Sequence, residues 1–241
     1  MGLPGKTRRP FFFSAGCLSA MMARLQGFPF MFTVYGDKGS GAFSAEAALA
    51  EVGAPYDFHL VSLEKNEQRK PEFLAINPSG KMPALKLPEG QILTESLAIL
   101  LTIADHFPNA HLLPAQASAE RGVAYRWLAF MAAEIYPMVE ISDYPERFAP
   151  EGEVADALRR KARARIRERL LIVERQVAGP WFLPSGFSIL DIYAAMFSRW
   201  RGSLGKDWAA AGHIPKLDAL SKALSQRPAL KEIWKRHFWN D

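Results

Sequence analysis

The pattern of apolar and polar positions divides the chain after residue 30 into two parts of different character. Over residues 31–110, short runs rich in β-formers alternate with helical stretches in the order β-α-β-α-β-β-α. Over residues 117–241 the apolar positions instead recur at helical spacing, and almost no alternation of the β type remains. The pattern therefore predicts an α/β domain over 31–110, followed by an all-helical domain over 117–241. Ser44 is the predicted N-cap of the first helix, and the first long helix of the second domain is expected to kink near Pro137.

The clearest helical pattern covers residues 153–177, EVADALRRKARARIRERLLIVERQV. Outside the apolar stripe, the predicted helix carries many arginines among acidic residues. No aromatic side chain that could stack on a base lies in this stretch. We expect the solvent face of an amphipathic helix and no nucleic acid partner. The apolar stripe at helical spacing consists of Val154, Leu158, Ala162, Ile166, Leu170, Val173 and Val177.

Composition adds a few constraints. The chain has 241 residues, of which 49% are hydrophobic and 23% charged, and a formal net charge of +5, an ordinary globular balance. Its one cysteine, Cys17, excludes an intrachain disulfide and a cysteine metal cluster, so we expect no metal. We also expect a reducing, cytoplasmic compartment and no membrane span.

Residues 1–30 differ from the rest of the chain. They begin basic and continue into an apolar run that is too short to span a bilayer. Arg8 and Arg9 precede that run, as they would in a secretory or twin-arginine signal. We predict instead a disordered, dispensable extension, because the α/β domain that opens at Met31 needs no preceding segment to complete its pattern of strands and helices.

Two short stretches suggest a ligand site built from backbone groups: NPSGKMPALKL at 77–87 and TESLAI at 94–99. A cis bond at Pro83 would turn the Met82 N–H and C=O outward to pair with an extended ligand, and we predict that this bond is cis. A helix that begins at Ser96 offers free N–H groups to a carboxylate, and Glu95 is placed to meet an ammonium group. Together the stretches describe a site for a peptide-like ligand with an amino-acid end.

These stretches resemble the cytosolic glutathione transferases over about residues 32–238. The resemblance implies an N-terminal thioredoxin-like domain, then a C-terminal helical bundle domain, and a homodimer. It also implies transfer of glutathione, as co-substrate, to a small apolar electrophile, or a related isomerisation, dehalogenation or peroxide reduction. The matching stretches are YGDKGSGAFSAEAALAEVGAPY, NEQRKPEFLAINPSGKMPALKL, GQILTESLAI and FSILDIYAA.

The resemblance assigns the glutathione contacts residue by residue. The backbone of Met82 corresponds to the position that pairs with the cysteinyl unit, and Glu95 and Ser96 correspond to the pair that holds the γ-glutamyl end. The polar positions that approach the glycyl carboxylate in related classes are matched by Gln68, Arg69 and Lys81.

The thiol of glutathione must be activated because the thiolate is the nucleophile. Ser40, in DKGSGAF, is the first candidate to donate a hydrogen bond to the sulfur, since related serine-using members have a serine in this loop. Tyr35, Ser44 and backbone N–H groups alone are the alternatives. No cysteine lies in this loop, so the chain is more similar to bacterial serine-type, theta-like members than to cysteine-type ones.

Two patterns in the helical half remain. Ser188 and Asp191 have the spacing of a capping box, which we interpret as structural. Four aromatic residues on or just after its first long helix are candidates for the electrophile pocket, although aromatic residues at helical spacing are more often core. They are Tyr125, Trp127, Tyr136 and Tyr144.

A second function is compatible with the same fold, namely a non-catalytic relative that serves as a binding or interaction module. The SGKMP and TES stretches favour the enzyme, because a pure scaffold does not need a site for a peptide ligand. Retention on immobilised glutathione, followed by an assay with an aromatic electrophile, separates the two.

Overall fold

The computed structural model describes residues 31–238, so the expectations for residues 1–30 lie outside the described residues. The first half of this region has the predicted element order, with two 3-10 turns at Glu67–Arg69 and Pro108–Ala110. Its strands and helices are β1 (Phe32–Gly36), α1 (Ala42–Glu51), β2 (Tyr56–Leu60), α2 (Pro71–Leu74), β3 (Ala84–Lys86), β4 (Ile92–Thr94) and α3 (Ser96–His106).

The four strands form one mixed sheet in the order β2-β1-β3-β4. β1 pairs parallel with β2 and antiparallel with β3, and β3 pairs antiparallel with β4. Helix α1 is buried without a break over residues 42–49, so it is covered on every side. This burial places the N-terminus of α1 between the sheet and the helical half.

Helix α1 begins at Ala42, three residues earlier than an N-cap at Ser44 would place it. The sequence suggested Ser44 as its N-cap, and this prediction is wrong. The Ser44 hydroxyl lies inside the helix and donates to the Gly41 carbonyl at 2.8 Å. The first N–H groups of the helix are instead met by Ser40, whose hydroxyl accepts from Ala42 and whose carbonyl accepts from Phe43, both at 3.2 Å.

The second half of the described region is helical, apart from one isolated β-bridge between Leu183 and Gly186. None of the helices within residues 31–238 is long and apolar enough to cross a membrane. The helices are α4 (Ala119–Phe130), α5 (Tyr136–Asp143), α6 (Glu153–Glu174), α7 (Ile189–Arg199), α8 (Arg201–Leu204), α9 (Lys206–Ala210), α10 (Pro215–Ser225) and α11 (Lys231–His237), with a 3-10 turn at Pro145–Arg147.

The long helix that precedes residue 144 was expected to kink near Pro137. The structure has a π-helical segment, Met131–Ile135, between α4 and α5, and Pro137 lies in the first turn of α5. A proline has no N–H to donate into the preceding turn, and π segments interrupt helices at such points.

The apolar stripe of α6 is buried as predicted from Ala162 to Val177, whereas Val154 at the start of the helix is 57% exposed. In this first turn the buried residue is Ala155, so the side of the helix that packs on the core begins one position later than the stripe. The arginines of the other face form ion pairs with acidic residues: Arg169 lies 3.0 Å from Glu134, and Arg165 lies 3.3 Å from Glu168. They form the charged outer face that the sequence predicts.

The capping box at the start of α7 is confirmed. Asp191 accepts the Ser188 N–H at 2.7 Å, and the Ser188 hydroxyl accepts the Leu190 N–H at 3.2 Å. The second oxygen of Asp191 accepts the Phe182 N–H at 2.7 Å, so this carboxylate also fixes the loop before the helix. Asp191 is fully buried, and burial raises its pKa to about 6.

Candidate functional site

A cleft of about 490 Å³ lies where the N-termini of α1 and α3 and the segment before β3 face α5 and α7. Arg69 is not among the residues that line it, although its guanidinium lies beside Gly80, which does line it. The other six predicted site residues line this one cleft, although they come from three separate segments of the chain: Ser40, Gln68, Lys81, Met82, Glu95 and Ser96.

The Met82–Pro83 peptide bond is cis, as predicted. The Met82 thioether accepts the Asp37 N–H at 3.2 Å, which ties this segment to the loop that carries Ser40. The Met82 carbonyl faces the Tyr136 hydroxyl at 3.4 Å, a long contact across the cleft. The backbone carbonyl of Met82 is therefore directed toward the cleft space.

The N-terminus of α3 forms another wall of the cleft. Glu95 precedes the helix with φ of +63°, a region that non-glycine residues rarely occupy and that is concentrated at functional sites. The Ser96 hydroxyl lies 2.8 Å from the hydroxyl of Tyr193, a residue of α7. The sequence analysis did not single out Tyr193, although it lies within the matched stretch FSILDIYAA. Burial raises the pKa of the Tyr193 phenol, which keeps it protonated.

Gln68 and Lys81 lie at the opposite end of the cleft. Gln68 is only 2% exposed, and its side-chain oxygen has no hydrogen-bond partner within residues 31–238. A buried polar atom without a partner costs free energy that a bound ligand can recover. The Lys81 ammonium lies 2.6 Å from the carboxylate of Glu140 on α5, so it already bridges the two halves of the protein.

Ser40 lies at the entrance to α1 with its hydroxyl fully engaged. The hydroxyl donates to the Asp37 carbonyl at 2.7 Å and accepts from the N–H groups of Asp37 and Ala42, both at 3.2 Å. A serine hydroxyl has one proton to donate. It can therefore donate to a ligand only by rotating away from the Asp37 carbonyl.

The two alternative hydroxyl groups do not line the cleft. Successive side chains of a strand point to opposite faces of a sheet. Tyr35 accordingly lines a separate cavity of about 320 Å³, where its ring lies 5.2 Å from the ring of His59. Ser44 is fully buried inside α1. Of the three candidate hydroxyl groups, only that of Ser40 belongs to a residue at the cleft.

Aromatic side chains of the helical half complete the cleft. Of the four candidates, Tyr136 and Tyr144 line it, whereas Trp127 is buried in the core and Tyr125 is paired with Arg121 at the surface. Burial raises the pKa of the Tyr136 phenol, which keeps it protonated. A further aromatic residue, Trp200, also lines the cleft, and no local pattern in the sequence indicated it.

Gly41→Ala is expected to lower the free energy of unfolding by about 1–3 kcal/mol, because an added methyl group would overpack the cleft wall. Gly41 has ordinary helical dihedral angles, but a Cβ there would lie 2.0 Å from the Tyr136 hydroxyl oxygen. Tyr136→Phe removes that oxygen, and the nearest ring carbon is 3.2 Å away. Measured by urea unfolding, Gly41→Ala should therefore cost less stability in Tyr136→Phe than in the wild-type protein. An equal loss in the two proteins would contradict the contact between Gly41 and Tyr136.

Comparison with known proteins identifies the family. Residues 42–106 match the family model described as glutathione S-transferase, N-terminal domain. The chain is 31% identical over 209 residues to the uncharacterized GST-like protein YncG of Escherichia coli (strain K12), covering 86% of this chain and 98% of that protein. It is also 28% identical over 202 residues to the glutathione S-transferase GstA of Escherichia coli O157:H7, covering 80% and 92%.

A solved structure agrees with these relatives. The crystal structure of a glutathione transferase homolog from Sulfitobacter, with bound glutathione, is 25% identical and has a TM-score of 0.79, covering 87% of this chain and 99% of that one. The chain therefore belongs to the glutathione S-transferase family. Its fold is a thioredoxin-like N-terminal domain with a four-stranded mixed sheet, followed by a helical C-terminal region.

Proposed function

We propose that this chain binds glutathione in the cleft and activates its thiol for attack on a small apolar electrophile, as a serine-type, theta-like glutathione transferase. The observation that carries the proposal is the convergence of six of the seven assigned residues on one cleft, from segments far apart in the sequence. Several solved relatives, among them the Sulfitobacter homolog, hold glutathione, which supports the same ligand here.

The cleft offers a partner to each part of glutathione. The γ-glutamyl carboxylate is placed at the N-terminus of α3, where N–H groups and the Ser96 hydroxyl favour an anion, and Glu95 meets the ammonium group. The backbone of Met82 pairs with the cysteinyl unit. Gln68 and Lys81 lie toward the glycyl carboxylate, and Lys81 must exchange its ion pair with Glu140 for it.

Thiol activation is assigned to Ser40 and the N-terminus of α1. The reaction forms a carbon–sulfur bond between the thiolate and the electrophile. In a substitution, a leaving group such as chloride departs with the bonding electron pair, and in an addition the displaced pair takes up a proton. The thiol proton passes to solvent. To lower the thiol pKa by about two units requires roughly 2.7 kcal/mol of differential stabilisation. One hydroxyl donor to an anion and a helix N-terminus supply stabilisation of that order.

Thiol–disulfide exchange through a protein cysteine is not part of the proposal. The only cysteine of the chain is Cys17, which lies outside the described residues and outside the matched region. The homodimer and the cytoplasmic location that the resemblance implies remain predictions.

The electrophile side of the cleft is proposed to accept a small apolar, aromatic compound. Its wall on the helical half combines the rings of Tyr136 and Trp200 with the apolar side chains of Ala132 and Val139. Aromatic faces of this kind bury apolar rings with a favourable geometry.

Glu95→Ala and Ser96→Ala are each expected to weaken glutathione binding by about 1–3 kcal/mol, because each leaves one end of the ligand unpaired. Titration calorimetry on the purified full chain measures this change. Glu89→Ala, in the exposed turn between β3 and β4, and Ser225→Ala, at the exposed end of α10, are matched controls away from the cleft. Unchanged affinity in both cleft variants would place the ligand elsewhere.

The non-catalytic alternative is tested with the same preparation. Wild-type protein that binds glutathione and also conjugates it to a chlorodinitrobenzene is the expected result. Binding without turnover over a broad panel of electrophiles would instead indicate a binding or interaction module.

A further inference from the structure

The loop that carries Ser40 is held from the helical half through a single residue, Gly39. The Gly39 N–H donates to Nδ1 of His237 at 3.0 Å, and the Gly39 carbonyl accepts the indole N–H of Trp200 at 2.7 Å. We propose that His237 and Trp200 are positioning residues that set this loop for thiol activation. The inference rests on the proposed function and adds two residues that the family resemblance did not assign.

The hydrogen bonds of His237 fix which ring nitrogen carries the proton. Nδ1 accepts from Gly39, so the proton is on Nε2, which donates to the Glu46 carboxylate at 2.8 Å. The side chains of His237 and Glu46 are both fully buried. The Glu46 carboxylate also accepts hydrogen bonds from the Arg236 guanidinium and from the Tyr56 hydroxyl, the latter at 3.0 Å. Each ring nitrogen of the imidazole therefore has one protein partner, and neither nitrogen is exposed to water.

These contacts hold both sides of the segment that contains Ser40. Gly39 lies in the loop just before it, whereas Glu46 lies in α1 just after it. One imidazole ring thus connects the loop to the helix whose N-terminus faces the cleft. The ring packs against Phe43 and Phe58, with centroid distances of 5.5 and 5.9 Å, and these neighbours restrict its rotation.

The position of this loop matters for activation because hydrogen bonds to an anion depend steeply on distance and angle. A catalytic group displaced by about 1 Å can lose a large part of its effect. The hydrogen bonds of Gly39 go to His237 and Trp200, and neither involves the γ-glutamyl site at α3 or the backbone of Met82. If Gly39 loses its partners, the thiol pKa and the turnover should therefore change more than glutathione affinity.

Two substitutions at His237 separate its two hydrogen bonds. His237→Asn keeps an acceptor near the Nδ1 position, facing Gly39, and loses the contact with Glu46. His237→Gln keeps a donor near the Nε2 position, facing Glu46, and loses the contact with Gly39. Trp200→Phe removes the indole N–H from the Gly39 carbonyl while an aromatic ring remains at the cleft.

The first measurement is amide hydrogen exchange of residues 37–41 in ligand-free full-length protein. We expect faster exchange in His237→Gln and Trp200→Phe than in wild type, with His237→Asn close to wild type. This measurement does not depend on glutathione. Equal exchange in all four proteins, or faster exchange in His237→Asn alone, would overturn the proposal.

The second measurement is the ultraviolet titration of the bound thiolate, with kcat and KM for glutathione. In His237→Gln we expect the thiol pKa to rise by about one unit and kcat near neutral pH to fall about tenfold, with little change in KM. Parallel losses in both His237 variants that follow their melting temperatures would show a merely structural role and overturn the proposal. If wild-type protein fails to bind glutathione in calorimetry, the proposed function fails. The hydrogen-exchange result would still show whether His237 and Trp200 hold the loop at Gly39.

Discussion

Asp191→Ala is expected to lower the free energy of unfolding at pH 7 by about 3–5 kcal/mol, because it leaves two buried donors without an acceptor. The truncation leaves the N–H groups of Phe182 and Ser188 buried without their acceptor, where both now donate at 2.7 Å. Urea unfolding measures the loss. Asp207→Ala is the control, because Asp207 also lies in the first turn of a helix but is exposed. A loss below about 1 kcal/mol would show that the loop and α7 do not depend on this carboxylate.

The stability contribution of Asp191 should also depend on pH. Its pKa in the folded protein is about 6, raised from the ordinary value of 3.8 mainly by burial. Since the folded-state pKa is the higher one, protonation favours folding. The part of its contribution that comes from protonation is fully present below about pH 4 and is lost as the pH rises through about 6, whereas the hydrogen bonds from Phe182 and Ser188 remain. The difference in free energy of unfolding between wild type and Asp191→Ala should therefore narrow between about pH 4 and pH 7.

Ser40→Ala is expected to reduce turnover near neutral pH at least tenfold while glutathione binding largely persists. A hydrogen bond to an anion is worth about 1.5–3 kcal/mol, so its removal should raise the pKa of the bound thiol by about one to two units. Most ligand contacts lie at α3 and Met82, so affinity changes less. Ultraviolet titration of the bound thiolate reads the pKa directly, and calorimetry reads the affinity.

The structure indicates which variant should be compared with Ser40→Ala. Tyr35 and Ser44 lie outside the cleft. The Tyr136 phenol faces the cleft, and its contact with the Met82 carbonyl is long at 3.4 Å. Tyr136→Phe is therefore the variant to titrate beside Ser40→Ala. A thiol pKa that stays unchanged in Ser40→Ala and rises in Tyr136→Phe would transfer the role of donor from the serine to the tyrosine.

The sequence by itself determined the features that depend on near neighbours along the chain. The alternation of strands and helices up to α3, the buried stripe of α6 and the capping box of Ser188 and Asp191 each follow from the spacing of a few adjacent residues. The helix that begins at Ser96 belongs to the same group. The cis bond before Pro83 does not, because local chemistry favours the trans isomer, and it was predicted from the ligand that the Met82 backbone would meet.

Two local predictions, the N-cap of α1 and the start of the apolar stripe of α6, are wrong because contacts with other segments override the local sequence preference. Ser44 has the chemistry of an N-cap, yet α1 begins at Ala42 because Ser40 already meets its first N–H groups. Val154 continues an apolar stripe into the first turn of α6, where the neighbouring Ala155 is the residue that packs on the core.

Only the tertiary structure decided which distant side chains complete the site. Trp200 and His237 reach Gly39 across 161 and 198 residues of sequence, and Tyr193 reaches Ser96 across 97. Arg69 follows the cleft residue Gln68 in the chain, yet it does not line the cleft. Periodicity carries no information about such pairs, because they are set by how α5, α7 and α11 pack against α1 and the sheet. That packing is the sum of many weak contacts over the whole core, and it fixes the loop of Ser40 from outside the domain that carries it.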